Sequence, residues 1–229
     1  MANYVLVAGA WLGAWAWDEV AAELRAAGHG AYPLTLSGLA ERRGVAPAGQ
    51  EVHVRDIVAE VERLDLRDVV LVGHSYSGIP VGQAAERIGE RLARVVFVDA
   101  DVPRDGESFV SVAGNGQEVA VAIARNGGWW PPLAAGDFAG QGLTDEQVAR
   151  IVAGSTPHPG ASLTEPAVLG DALPELPVTY VKCLLDWPEP FGRAAELLAG
   201  ERWRLVELDT GHWPMFSQPH ELAAVLQEL

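Results

Sequence analysis

An α/β fold on a parallel sheet is what the sequence predicts, and three observations predict it. Short β-branched runs alternate with segments of helical period. Several of those runs are apolar at every position, as in Val69-Val70-Leu71-Val72 and Val95-Val96-Phe97-Val98, which suits strands covered on both faces. At 229 residues and 49% hydrophobic content, the chain is long enough to bury one sizeable core.

In chain order, the strand runs are Tyr4 to Ala8, Ala31 to Leu36, Asp68 to Val72, Arg94 to Val98, Val178 to Cys183 and Arg204 to Leu208. They make a mostly parallel, six-stranded sheet flanked by helices. Trp17, Val20, Ala21 and Leu24 recur at helical spacing and stop at Gly28, a residue suited to a left-handed helix end. Val54, Ile57, Val58, Val61 and Leu64 form a second stripe. The last helix carries Leu222, Val225, Leu226 and Leu229, with Pro219 near its start, where a missing N–H costs least. These stripes are core. From Asp101 to about Leu173 the pattern changes: Gly and Pro become frequent, strand runs disappear, and helical pieces shorten, as near Thr144 to Val152. This reads as a helical cap inserted after the fourth strand, above the sheet's carboxyl edge, where α/β proteins place ligands. The expectation is one domain over 1–229, with core 1–100 and 174–229 and a cap at about 101–173.

Charge narrows the partners. Sixteen basic against 31 acidic residues leave a net −15, which repels phosphate backbones and anionic headgroups and argues against nucleic acid and membrane surfaces. No apolar run approaches a bilayer span. Cys183 is the sole cysteine, so no internal disulfide forms, and its apolar surroundings predict a buried, inert thiol. The N-terminus enters a strand pattern at once, without the features of a signal peptide, and this predicts a cytoplasmic protein. A homo-oligomer is compatible with all of this.

Gly73-His74-Ser75-Tyr76-Ser77-Gly78 follows the most apolar strand and precedes Ile79 to Ile88, which can be helical. A sharp strand-to-helix turn needs small residues two positions either side of its apex, here Gly73 and Ser77. The apex is Ser75. A hydroxyl needs a base within hydrogen-bond reach and a third group fixing that base's tautomer. Gly211-His212-Trp213 follows the last strand, and Asp186 lies just past the strand ending near Cys183. The three therefore share one sheet edge, in the order serine, acid, histidine. Asp99 also ends a strand and is the alternative acid; otherwise it is a capping residue. His29, His53 and His220 occupy turn or polar helix positions and are expected at the surface, and His158 in the cap either points into the pocket or, as is commoner for a prolyl-flanked loop histidine, is structural. No His, Asp or Glu pair has metal-ligand spacing and no Gly-rich loop matches a phosphate fingerprint, so neither metal nor cofactor is expected.

These pieces resemble the α/β-hydrolase superfamily, and within it the plant methylesterases, hydroxynitrile lyases and their bacterial esterase relatives. The resemblance spans nearly the whole chain. Val5 to Trp11 followed by Gly13-Ala14-Trp15 is similar to the group's first-strand signature, and Gly73 to Gly78 to its elbow. Phe97 to Ala100, Asp209 to Trp213 and Thr156 to Pro159 also match. The resemblance implies an oxyanion hole formed by the backbone N–H groups of Ala10 and Tyr76, donors aimed at charge that appears only in the tetrahedral intermediate. The group usually has histidine where this chain has Ala8, and a polar residue where it has Leu12. Its hydroxynitrile lyases place lysine after the catalytic histidine and threonine beside the oxyanion loop. Here those positions hold Trp213 and Gly9, and the single lysine, Lys182, lies in a strand.

The reading is a serine hydrolase acting on a small, largely apolar or aromatic carboxylic ester through an acyl-enzyme. Trp129 and Trp130 in the cap, with Trp11 and Trp213 beside the site, either wall its pocket or pack the cap onto the core. The alternatives are lactone opening, thioester cleavage or hydroxynitrile-lyase-type chemistry on the same triad, and a non-catalytic binding protein.

Overall fold

The computed structural model describes residues 1–44, 49–170, 173–190, 192–200 and 202–229. Six strands form one sheet: β1 (Asn3–Val7), β2 (Gly30–Leu34), β3 (Val69–His74), β4 (Leu92–Val98), β7 (Val178–Cys183) and β8 (Trp203–Leu208). Their spatial order is β2-β1-β3-β4-β7-β8, and every neighbouring pair is parallel. Each of the six expected runs is a strand, its ends agreeing to within two residues and, for Val178–Cys183, matching at both. Two further strands, β5 (Trp129–Trp130) and β6 (His158–Pro159), pair antiparallel within the segment between β4 and β7.

The unbroken apolar runs follow from a core on both faces. Side chains alternate across a strand. Val5, Val7, Val69, Leu71, Val95 and Phe97 pack with Val54, Ile57 and Val61 of α2 (Gln50–Arg63) and with Ile79, Val81 and Ala84 of α3 (Gly78–Arg87). Their neighbours Tyr4, Leu6, Val70, Val72, Val96 and Val98 pack on the other face, against Val20, Ala21 and Leu24 of α1 (Asp18–Ala26) and Leu222, Ala223 and Leu226 of α10 (Pro219–Gln227). Polar alternation would put charge into one of these two cores. Cys183 is fully buried, and burial pushes its thiol pKa up.

Residues between β4 and β7 form short helices: α4 (Phe109–Val112), α5 (Gly116–Arg125), α6 (Asp145–Gly154) and α7 (Gly160–Thr164). Thr144 caps α6 by accepting from the Gln147 N–H at 3.2 Å, while the Gln147 side chain reaches back to the Thr144 N–H at 2.8 Å. Two helices flank β8: α8 (Gly192–Leu198) before it and α9 (Pro214–Ser217) after it. Among the described residues, no helix is long and apolar enough to cross a membrane. Parallel strands put the loops after β1, β3, β4, β7 and β8 at one edge, and the segment carrying β5 and β6 packs over it.

Candidate active site

Ser75 sits at the apex of the turn from β3 into α3, with φ +55°. Non-glycine residues avoid the left-handed region unless their surroundings hold them there. Two other loops on this edge are strained alike: Trp11 after β1 has φ +66° and Asp99 after β4 has φ +42°. Close approach explains the small neighbours. A Cβ on Gly78 would lie 2.2 Å from the Asp101 carbonyl oxygen, and one on Gly73 3.0 Å from Val81 Cγ2. Ser77, standing where a second glycine is usual, has a structural use. Its Oγ accepts from the His74 N–H at 2.8 Å and directs its one proton at the carbonyls of Val7, 2.8 Å away, and His74, 2.9 Å away.

The loop after β8 brings His212 to the serine, with His212 Nε2 2.9 Å from Ser75 Oγ. Three bonds aim that loop. His74 Nε2–H donates to the His212 carbonyl at 2.6 Å, the His212 N–H donates to Gln141 Oε1 at 2.6 Å, and His212 Nδ1–H donates to Asp99 Oδ2 at 2.7 Å. Asp186 Oδ2 stands 3.5 Å from the same Nδ1, so both acids foreseen from sequence meet the imidazole. Their order differs from the expectation that Asp186 orients the ring, because Asp99 is the nearer. Strand pairing is the reason. The Asp99 N–H donates to Val181 of β7 at 2.7 Å, which turns its carboxylate into the sheet edge, where Lys182 Nζ and the Cys183 N–H donate to Oδ1. Lys182 is wholly buried. Asp186 is more exposed, with Gln141 Nε2 3.4 Å from its Oδ1. Ligand atoms of Asp99, Asp186 and His212 lie within 4.8 Å of one another. Here they are engaged with each other and with the Lys182 ammonium, an arrangement that disfavours a cation.

Burial works against the imidazolium of His212, but the carboxylates of Asp186 and Asp99 outweigh it and lift its pKa to about 9. His74 is pushed down to about 3 by burial, with the charge of His212 adding to the effect.

The site opens into a cavity of about 990 Å³ lined by Ala10, Trp11, Ser75, Tyr76, Asp99, Asp101, Phe109, Trp130, Asp186, Trp187, His212 and Trp213, among others. Trp11 and Trp130 pack at 4.1 Å between ring centroids, and Phe109 lies 5.7 Å from Trp130. Trp129 lines a different cleft, with Gly38, Arg43 and Pro131. Alternation along β5 separates the two adjacent tryptophans. Ala10 and Tyr76 both line the cavity, and neither backbone N–H is hydrogen-bonded among the described residues. The loop after β1 is braced from above: the Trp11 N–H donates to His158 Nδ1 at 3.3 Å, and the Thr156 N–H donates to the Trp11 carbonyl at 2.9 Å. His158 Nε2–H donates to Ser162 Oγ at 3.0 Å, so this buried ring is structural. His53 corrects the expectation of a surface position. It is fully buried on the inner side of α2, where Nε2–H donates to the Ser37 carbonyl and Nδ1 accepts from Tyr76 O–H, both at 2.8 Å. Asp101, Phe109, Trp187, Gln141 and Lys182 are site residues that sequence reasoning did not find. Only Asp101, two positions beyond Asp99, carried a signal in its spacing.

Fold and cavity together define a class of protein, an α/β fold that brings a serine, a histidine and two carboxylates to one cavity at the edge of a parallel sheet. The chain matches the alpha/beta hydrolase family over residues 4–225 and belongs to it. It is 34% identical, over 248 aligned positions covering all of both chains, to the carbendazim hydrolyzing esterase of Nocardioides sp. (strain SG-4G). It is 26% identical over 252 positions to methylesterase 9 of Arabidopsis thaliana, covering 97% of this chain and 95% of that one. Among solved structures it is similar to an extracellular alpha/beta-hydrolase from a Paenibacillus species, with 23% identity, a TM-score of 0.86, and coverage of 100% of this chain and 98% of that one.

Proposed function

We propose that this enzyme is a serine hydrolase that cleaves a small, largely apolar or aromatic carboxylic ester through an acyl-enzyme. The observation that carries the reading is one unbroken relay, Ser75 Oγ to His212 Nε2 at 2.9 Å and His212 Nδ1 to Asp99 Oδ2 at 2.7 Å, opening on a cavity walled by Trp11, Trp130 and Trp213. With the imidazole neutral, Ser75 donates its proton to Nε2 as Oγ bonds to the ester carbonyl carbon. The imidazolium is stabilised by Asp99 at hydrogen-bond distance, with Asp186 as a second carboxylate. The carbonyl oxygen takes up negative charge against the N–H groups of Ala10 and Tyr76, donors fixed before reaction. The carbon–alkoxy bond then breaks, and the alkoxide leaves with the proton from Nε2. Water repeats the sequence: it loses a proton to His212, bonds to the acyl carbon and displaces Ser75 Oγ, releasing the acid. The described residues of the segment between β4 and β7 act as a cap that keeps bulk water from this chemistry. Trp213 after His212, and a lysine buried against Asp99, leave no ammonium in the cavity to hold a cyanide, which favours ester cleavage over lyase chemistry.

Hydrolysis of small aryl and methyl esters, with carbendazim included because a relative is named for it, tests the reading. Ser75→Ala should lower kcat by about 10⁴ or more with the fold intact by circular dichroism. A fluorophosphonate should label the parent chain at Ser75 alone. Near-parental turnover in the alanine variant would refute the assignment.

A further inference from the structure

Asp101 is a half-buried carboxylate on the cavity wall that the proposed relay does not use. Its backbone N–H donates to the Ser75 carbonyl at 3.2 Å, which ties it beside the nucleophile, and its carboxylate accepts no hydrogen bond among the described residues. The rest of the lining makes this unusual. Asp99, Asp101, Asp186 and Glu189 are the lining acids, His212 is the one basic group, and no lysine or arginine is among the lining residues described. Asp99 and Asp186 are engaged with His212, and the sole lysine is buried against Asp99. Asp101 alone combines a place next to Ser75 with free acceptor atoms. Phe109, Trp11 and Trp130 line the same cavity, and no described side chain donates a hydrogen bond to the Asp101 carboxylate. Burial, reinforced by the charge of Asp99 and opposed by that of His212, raises its pKa to about 6.

We propose that Asp101 sets the substrate class: the cavity takes an ester whose body carries a hydrogen-bond donor, an N–H or a protonated amine, placed to reach this carboxylate, and turns away esters that carry a free carboxylate. The chemistry is that of an unmet acceptor in an apolar wall. A donor satisfies it with a charge-assisted bond, an apolar group leaves it stranded, and an anion meets repulsion, the one basic group of the lining, His212, being already paired with Asp99 and Asp186. The acid released by hydrolysis is itself an anion, so the same wall expels product. The inference rests on the ester-hydrolase reading for its substrate, but not on turnover for its test.

Three methyl benzoates of matched shape serve as probes, bearing an amino, a methyl or a carboxylate substituent. Binding is read in Ser75→Ala by quenching of the cavity tryptophans, with and without Asp101→Leu or Asp101→Asn, and hydrolysis is read separately in the parent chain. Asp101→Leu should lower affinity for the amino ester relative to the methyl ester about tenfold or more, and raise relative affinity for the carboxylate ester. Asp101→Asn, which keeps an acceptor without charge, should fall between. Affinity ratios that do not change in either variant, with the fold intact, overturn the proposal. Ratios that shift as expected while the parent chain hydrolyses none of the three would uphold it and count against the catalytic reading.

Discussion

Ser77 shows how one hydroxyl can replace a glycine at a tight turn: it closes the elbow onto β1 and onto its own strand end by hydrogen bonds, and it is wholly buried. The acids stand in the reverse of the order read from sequence, which put Asp186 first. Both stand after adjacent strands, and only the inward turn of Asp99 against Lys182 puts one nearer the imidazole. Ser75 and His212 were legible because a strand–turn–helix context and a chain order identify them. A carboxylate's last ångström depends on the packing beneath it. The two acids hold the His212 pKa near 9, so log(kcat/KM) should rise with pH and level off near that value. Asp186→Asn removes one of the two carboxylates that raise the pKa, so the limb should move down toward 6.5, the value of a free imidazole. Asp99→Asn should do the same and also cost the larger loss of kcat, about 10² to 10⁴, because it breaks the closer bond and leaves Lys182 buried without its partner. A pH-rate series on both variants checks this, and a larger loss in Asp186→Asn would make Asp186 the orienting acid.

At the scale of elements, the short β5–β6 ladder pairs Trp130 with His158, so one element supplies both a cavity wall and the brace for the loop after β1. No periodicity can announce strands of two residues, which is why the sequence showed this segment only as a loss of strand runs. The six long strands were legible because every inward position on both faces had to be apolar. The brace has a kinetic consequence. His158→Leu frees the Trp11 N–H and should loosen the neighbouring Ala10 N–H, which in the proposed mechanism faces the reacting carbonyl, so kcat should fall about 10- to 100-fold while KM changes little. Steady-state kinetics would show this split, and a change in KM alone would place the effect in substrate binding.

Across the whole molecule, stability should depend steeply on acid pH. His53 and His74 are held down to about 4 and about 3, chiefly by burial, and His158 is lowered by burial and by His53. Below about 6.5 the unfolded chain takes up protons on these three rings that the native protein refuses, and each excess proton removes about 1.4 kcal/mol per pH unit. Asp101, raised to about 6, opposes this with one proton bound preferentially in the native state. The histidines outnumber it, so the urea midpoint should fall as pH drops from 6.5 toward 4, and a flat midpoint would contradict these buried neutral rings. The segment over the sheet edge is bound to the histidine loop at two points: Gln141 holds the His212 N–H, and Gln147 Nε2–H donates to the Phe216 carbonyl at 2.6 Å. Swinging that segment outward would therefore dismantle the proposed proton relay. The lining residues Val112, Asn115 and Trp187 are exposed, so reactant and product passing beside them would leave the roof of this enzyme fastened.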